Sequence, residues 1–143
     1  MADIKIDKEG NWYYRGAEMF RKDIVKYFYE HLKMDDEGRY VIEIPGDSCF
    51  VEVEDTAFVV KSVDFTDRGI ILHISDGSIE KLDPATLYMG EGNVMYCKIK
   101  NGSFPARFNR ASYYQLAAHI SHDEKSGAFY LTIGDKRFCV PAS

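Results

Sequence analysis

Two histidines raise the first chemical question. His31 and His119 occupy the same place in two amphipathic segments, FRKDIVKYFYEHL (Phe20 to Leu32) and FNRASYYQLAAHI (Phe108 to Ile120). Brought together across a pseudo-twofold axis, two imidazoles would titrate near neutral pH or share a metal ion. The commoner role of a histidine on an apolar helix face is that of a hydrogen-bonded core or interface residue. His119, His122 and Asp123 stand at near-turn spacing and could converge as metal ligands. The same residue types are also common where a helix end runs into a turn, here HDEKSG.

A second cluster suits anions. The stretch KIKNGSFPARFNRASYY interleaves Lys98, Lys100, Arg107 and Arg110 with Phe104, Phe108, Tyr113 and Tyr114. Charge with stacking surface is what a phosphate-bearing ligand or a single nucleic-acid strand requires, although core aromatics beside solvated bases give the same pattern. Arg107 and Arg110 are the best anion contacts because they flank a helix start, where free amides also favour negative charge. In the strand-like WYYR, Trp12 and Tyr14 point one way and Tyr13 and Arg15 the other. Aromatic and arginine side chains together are the composition of an interface hot spot, so Tyr14, Arg15 and Arg21 join the candidate binding residues. No Walker loop, dinucleotide fingerprint, G-x-S-x-G elbow or H-E-x-x-H is present. No catalytic residue, metal ligand set or cofactor is therefore assigned.

The elements that must position these residues are written twice. EGNWYYRG (Glu9 to Gly16) returns as EGNVMYCK (Glu91 to Lys98), the two helical segments align without a gap, and GRYVIEI (Gly38 to Ile44) aligns with GAFYLTI (Gly127 to Ile133). Asp47 and Phe50 then fall opposite Asp135 and Phe138, with one insertion around Lys98 to Phe104. Ile24, Phe28 and Leu32 recur every four residues with Val25 beside them, which predicts a helix covering a sheet. RYVIEI and CFVEVE alternate with period two around the turn PGDS. AFVVKSVDF reads as a strand, RGIILHIS and SIEKL as a hairpin about Asp76-Gly77, and Asn93 to Lys100 as a further strand. Eight or nine short strands and two helices predict an α+β fold with a largely antiparallel sheet or a partly open barrel. The expected division is a first repeat unit, 1–67, and a second, 68–143, packed closely on it.

At 143 residues, with 45% apolar and 14% aromatic side chains, the chain can bury a core without staples. No apolar run approaches the roughly 20 residues that cross a bilayer, and no secretory signal opens the chain, so a cytoplasmic protein is expected. Cys49, Cys97 and Cys139 are expected as buried free thiols. The net charge of −5 argues against a general nucleic-acid binder. Charge is unevenly spread: ten acids lie between Asp35 and Asp67 against Arg39 and Lys61, whereas Gly92 to His122 holds no acid.

Over roughly the first 65 residues, the ordered pattern of an aromatic strand ending in YRG, a following Arg, an amphipathic helix, D-x-x-G-x-Y and VEVEDTAFV resembles the bacterial proteins of domain-of-unknown-function family 1285. The resemblance implies an internally duplicated α+β fold, a C-terminal half loosely like a pleckstrin-homology barrel, a binding or signalling role and no established activity. The function expected is a binding module with its site between the repeated halves, using Tyr14, Arg15, Arg21, Arg107 and Arg110, with His31 and His119 as sensors. A protein partner or a small anionic ligand would occupy it. The alternatives are a metal-binding protein or enzyme using the helix histidines, and a structural subunit of a homo-oligomer.

Overall fold

The computed structural model describes residues 3–141. The chain divides into two compact units, Met1–Ala57 and Phe58–Ser143. The turn at Asp67 to Gly69, where the sequence suggests a boundary, instead joins two paired strands of the second unit.

In the first unit, β1 (Ile4–Ile6), β2 (Trp12–Tyr14) and β3 (Ala17–Glu18) form a meander. Asp7 shapes its first turn by accepting the Glu9 and Asn11 amides at 3.0 and 2.9 Å. The second turn is Arg15-Gly16, both with positive φ (48° and 85°). A left-handed arginine costs about 1 kcal/mol, and here its amide donates to the Asp3 carbonyl at 2.8 Å. Helix α1 (Lys22–Glu30) follows, then β4 (Leu32–Met34), β5 (Tyr40–Ile44) and β6 (Asp47–Val53) as a second meander. Parallel pairing of β1 with β6, Ile4 opposite Val51, joins the two into a sheet of order β3-β2-β1-β6-β5-β4. Its inward face presents Ile4, Ile6, Trp12, Ile42 and Val51. Against Trp12 lie Phe28, stacked at 6.0 Å, and the edge-on ring of Tyr29 at 4.8 Å, both from α1. Tyr29 is buried and donates its hydroxyl to the Ala57 carbonyl at 2.8 Å, which satisfies the polar tip of a core ring.

The second unit opens with the meander β7 (Phe58–Thr66), β8 (Gly69–Ile74) and β9 (Ile79–Lys81). A short 3-10 turn at Pro84–Thr86 leads to β10 (Tyr88–Met89), β11 (Met95–Ile99) and β12 (Phe104–Phe108). Parallel pairing of β12 with β7 gives the order β10-β11-β12-β7-β8-β9. Both six-stranded sheets thus share one plan, two three-stranded meanders joined through their first and last strands in parallel. Neither closes into a barrel. Of the alternatives read from the sequence, the open, largely antiparallel sheet is the one observed.

Helix α2 (Arg110–Ala117) is capped by Asn109, whose side chain accepts the Ser112 amide at 2.8 Å. The buried Ser112 hydroxyl donates to the Val60 carbonyl and the Gln115 side chain accepts the Val63 amide, fixing the helix to β7. A separate sheet of β13 (Ile120–His122), β14 (Phe129–Ile133) and β15 (Lys136–Val140) closes the described chain.

Duplication reaches the level of single hydrogen bonds. The His31 amide donates to the Phe28 carbonyl and the His119 amide to that of Leu116; the His31 carbonyl accepts from Glu43 at 3.1 Å, that of His119 from Thr132 at 3.2 Å. Each position matches its counterpart in the sequence repeat. The match fails at the first hairpin and past the last turn: Met89 pairs with Met95 as Ile6 does with Trp12, so Trp12 is equivalent to Met95 and not to Val94. Ile44 pairs with Asp47 and Ile133 with Lys136, so Phe50 is equivalent to Cys139 and Cys49 to Phe138, one residue away from the sequence alignment. The aligned Asp47 and Asp135 are not equivalent because the hairpin loop, not the aspartate, sets the register.

Three further expectations are corrected. Both helices stop before their histidine: His31 is the C-cap of α1, and His119 lies beyond Ala117. Leu32 and Ile120 each begin a strand instead of completing a helical stripe. Among the cysteines, all free, only Cys97 is buried. Burial, with a smaller contribution from the Glu80 charge, pushes its thiol up to about 12.

Candidate functional site

The outward face of the first unit's sheet brings charged and aromatic side chains together. Period-two alternation places Tyr13 of β2, Lys5 of β1 and Glu52 of β6 side by side, since Lys5 is paired with Tyr13 on one flank and with Glu52 on the other. Phe50, two residues from Glu52 on the same face, pairs with Val41 of β5. Phe50 is 51% exposed, an unusual position for a phenylalanine at the middle of a strand.

Two hollows open on this face and share Glu52. One, of about 630 Å³, is lined by Asp3, Lys5, Asp7, Tyr13, Arg15 and Glu52. The other, of about 440 Å³, includes Arg39, Phe50, Glu52 and Asp55. Their side chains are held locally. Burial pushes the Asp7 carboxyl up, but hydrogen bonds from the Asn11 amide, the Tyr13 hydroxyl, the Asn11 side chain and the Glu9 amide outweigh it and hold Asp7 below the usual carboxylate range. The same bond to Asp7 raises Tyr13, so this phenol stays protonated. The Arg39 guanidinium lies 4.6 Å from the Phe50 ring centroid while Asp35 and Glu37 hold it at 2.8 and 3.2 Å. No nucleophile and base are paired here. The face offers charge, hydrogen bonds and one open aromatic ring.

The residues singled out from the sequence are distributed over both units. Arg15 lines the larger hollow, 3.6 Å from Asp3 and 5.3 Å from the ring of Tyr14, itself 47% exposed. Arg21 precedes α1 and is held bidentately by Asp23, at 2.7 Å for the shorter contact. His31 binds the Tyr27 carbonyl through Nδ1 at 2.9 Å. In the second unit, half-buried Arg107 stands on β12 opposite Tyr96, which stacks on Tyr88 at 5.2 Å. Arg110 begins α2 and lies 5.9 Å from the Tyr114 ring. His119 stacks on Phe65 at 3.8 Å and His122 on Phe129 at 4.6 Å. Each histidine ring is thus engaged inside its own unit. Among the described residues, no three His, Cys, Asp or Glu side chains are grouped to hold a metal ion, and no helix is long and apolar enough to cross a membrane.

Sequence reasoning missed Lys5, Phe50, Glu52 and Asp55. The signal was present in SCFVEVED, whose alternation assigns Phe50 and Glu52 to the face opposite Val51 and Val53.

Fold and surface together define open-sheet α+β units, the first of which has an exposed, charged outward sheet face. Residues 1–56 match the family model described as "Domain of unknown function (DUF1285), N-terminal domain". Two solved structures share the fold. A DUF1285 family protein from Silicibacter pomeroyi DSS-3 is 20% identical, with a TM-score of 0.76 over 97% of this chain and 79% of that one. A DUF1285 family protein from Shewanella baltica OS155 is 19% identical, with a TM-score of 0.69 over 82% and 92% of the respective chains. No curated protein matches.

Proposed function

We propose that this protein is a cytoplasmic, non-catalytic interaction module whose first unit seats a segment of a protein partner on the outward face of its sheet. The observation that carries this reading is Phe50, half exposed at the centre of a strand and lining the smaller hollow with Arg39 and Glu52. Sites for small molecules are concave and mostly apolar and enclose the ligand. This face is open and charged, and its pairing of aromatic with arginine side chains suits a protein hot spot.

Selection of short random peptides displayed on yeast against the full chain tests the proposal. Selected peptides should lose binding to Phe50→Ser and keep it with Phe129→Ser, a change at a comparably exposed phenylalanine of the second unit. Peptides indifferent to Phe50→Ser, or no selected peptide at all, would overturn it.

A further inference from the structure

Charge decides what kind of segment this face suits. The first unit holds eight basic and fourteen acidic residues, the second ten and nine. Several cations of the face are already committed: Arg15 to Asp3, Arg39 to Asp35 and Glu37, and Lys33 to Glu43 at 3.0 Å. Glu52 stands next to Lys5 in register, yet makes no ion pair among the described residues. Asp7 is met by hydrogen bonds from Asn11, Tyr13 and Glu9, which leave its negative charge in place. The carboxylates lining the two hollows, Asp3, Asp7, Glu52 and Asp55, outnumber the cations Lys5, Arg15 and Arg39, and the smaller hollow also holds the exposed Phe50 ring.

Resting on the reading of this face as a docking surface, we propose that its occupant is a basic polypeptide segment in extended conformation, with an apolar side chain against Phe50 and a lysine or arginine against Glu52. The spacing fits. Phe50 and Glu52 are two residues apart on one strand, about 7 Å, the same repeat at which an extended segment presents alternate side chains. Complementary charge adds register and association rate to the apolar contact.

Fluorescence anisotropy with three labelled peptides of equal length, valine alternating with lysine, serine or glutamate, tests the proposal on the full chain. The lysine peptide should bind most tightly and weaken about tenfold or more between roughly 0.05 and 0.5 M salt. A Glu52→Lys variant should lose about tenfold for the lysine peptide and gain for the glutamate peptide, with an unchanged thermal transition. A control carrying the same charge change at exposed Glu30 should keep the lysine peptide. Equal loss in both variants would overturn the proposal in favour of bulk attraction. Serine or glutamate peptides binding as tightly as the lysine peptide would also overturn it, while leaving the face as a docking surface. Failure of all three peptides to bind would remove both readings.

Discussion

The hairpin sheets that follow the two helices have the same backbone and different surfaces. In β4–β6 and β13–β15, the helix-to-strand passage, the cross-strand partners and the carbonyl of the histidine beyond each helix are bonded alike. At the equivalent outward position stands exposed Phe50 in the first and Cys139 in the second; at the inward one, Cys49 and the half-buried Phe138. Each sheet keeps an arginine near an aromatic ring, Arg39 by Phe50 and Arg137 by Tyr130. The surroundings differ as well. The first sheet continues through β6 into β1, whereas β15 is the last strand of its sheet. The two hairpin sheets share a hydrogen-bonded frame, and where the second carries Cys139 the first presents an open phenylalanine that lines a hollow.

The largest expected effects test whether the frames are equivalent in energy. Ile42 and Leu131 are the buried counterparts of each other, 1% and 0% exposed. Ile42→Ala and Leu131→Ala should each cost about 2–5 kcal/mol through lost transfer energy and a residual cavity. Urea unfolding gives the cost, and hydrogen exchange shows which unit loosens. A Leu131→Ala cost far below that of Ile42→Ala would break the comparison, leaving β13–β15 as an appendage instead of a second core.

A middle-sized effect separates the units by their carboxylates. In the second unit, Asp76 accepts the Ser78 hydroxyl and amide and pairs with Lys100 at 2.9 Å, and its side chain is only 12% exposed. Burial raises its carboxyl, but the Ser78 bonds and then Lys100 outweigh this and hold it below the usual range. Asp7 in the first unit is depressed in the same direction at an open surface. A carboxyl depressed in the folded state binds fewer protons there than when unfolded. Its contribution is complete above the unfolded value near 3.9 and is lost as pH falls through that value toward the folded one. Asp76→Asn should cost about 2 kcal/mol at pH 7 and flatten the acid limb of the second unit's stability; Asp7→Asn should flatten that of the first with a smaller loss. Urea midpoints from roughly pH 7 to 3 decide it, and an unchanged acid limb in Asp76→Asn would sink the assignment.

How far the sequence discloses this depends on whether periodicity or turn geometry does the specifying. The helices, the strands around PGDS and the Asp76-Gly77 hairpin were legible because alternation and helical spacing report directly on which side is buried. The Asn101-Gly102 turn between β11 and β12 carries a strong hairpin signal, although in the repeat alignment it stands as an insertion. The histidines fall on apparent helical stripes because their segments stay apolar past the last helical residue; Leu32 and Ile120 are apolar for the sake of a sheet. Arg15 was legible as a surface residue beside an aromatic. Glu52 and Lys5 were not legible as neighbours, because a parallel pairing of strands more than forty residues apart leaves no local trace.

The smallest effects sharpen the comparison at the last turn, where sequence and hydrogen-bond alignments disagree. If the phenylalanines were equivalent, Phe50→Ala and Phe138→Ala would cost the same. The register makes Phe138 the counterpart of Cys49, on the side of its sheet that carries Leu131 and Val140, both buried. Phe138→Ala should therefore cost about 1–2 kcal/mol, less than a fully buried phenylalanine. Phe50→Ala and Cys49→Ala, at exposed positions, should fall within about 0.5 kcal/mol of the parent. Urea midpoints of the three variants settle the order. A cost for Phe50→Ala equal to that of Phe138→Ala would mean that the outward ring is packed in solution, and the face would then no longer be open to a partner.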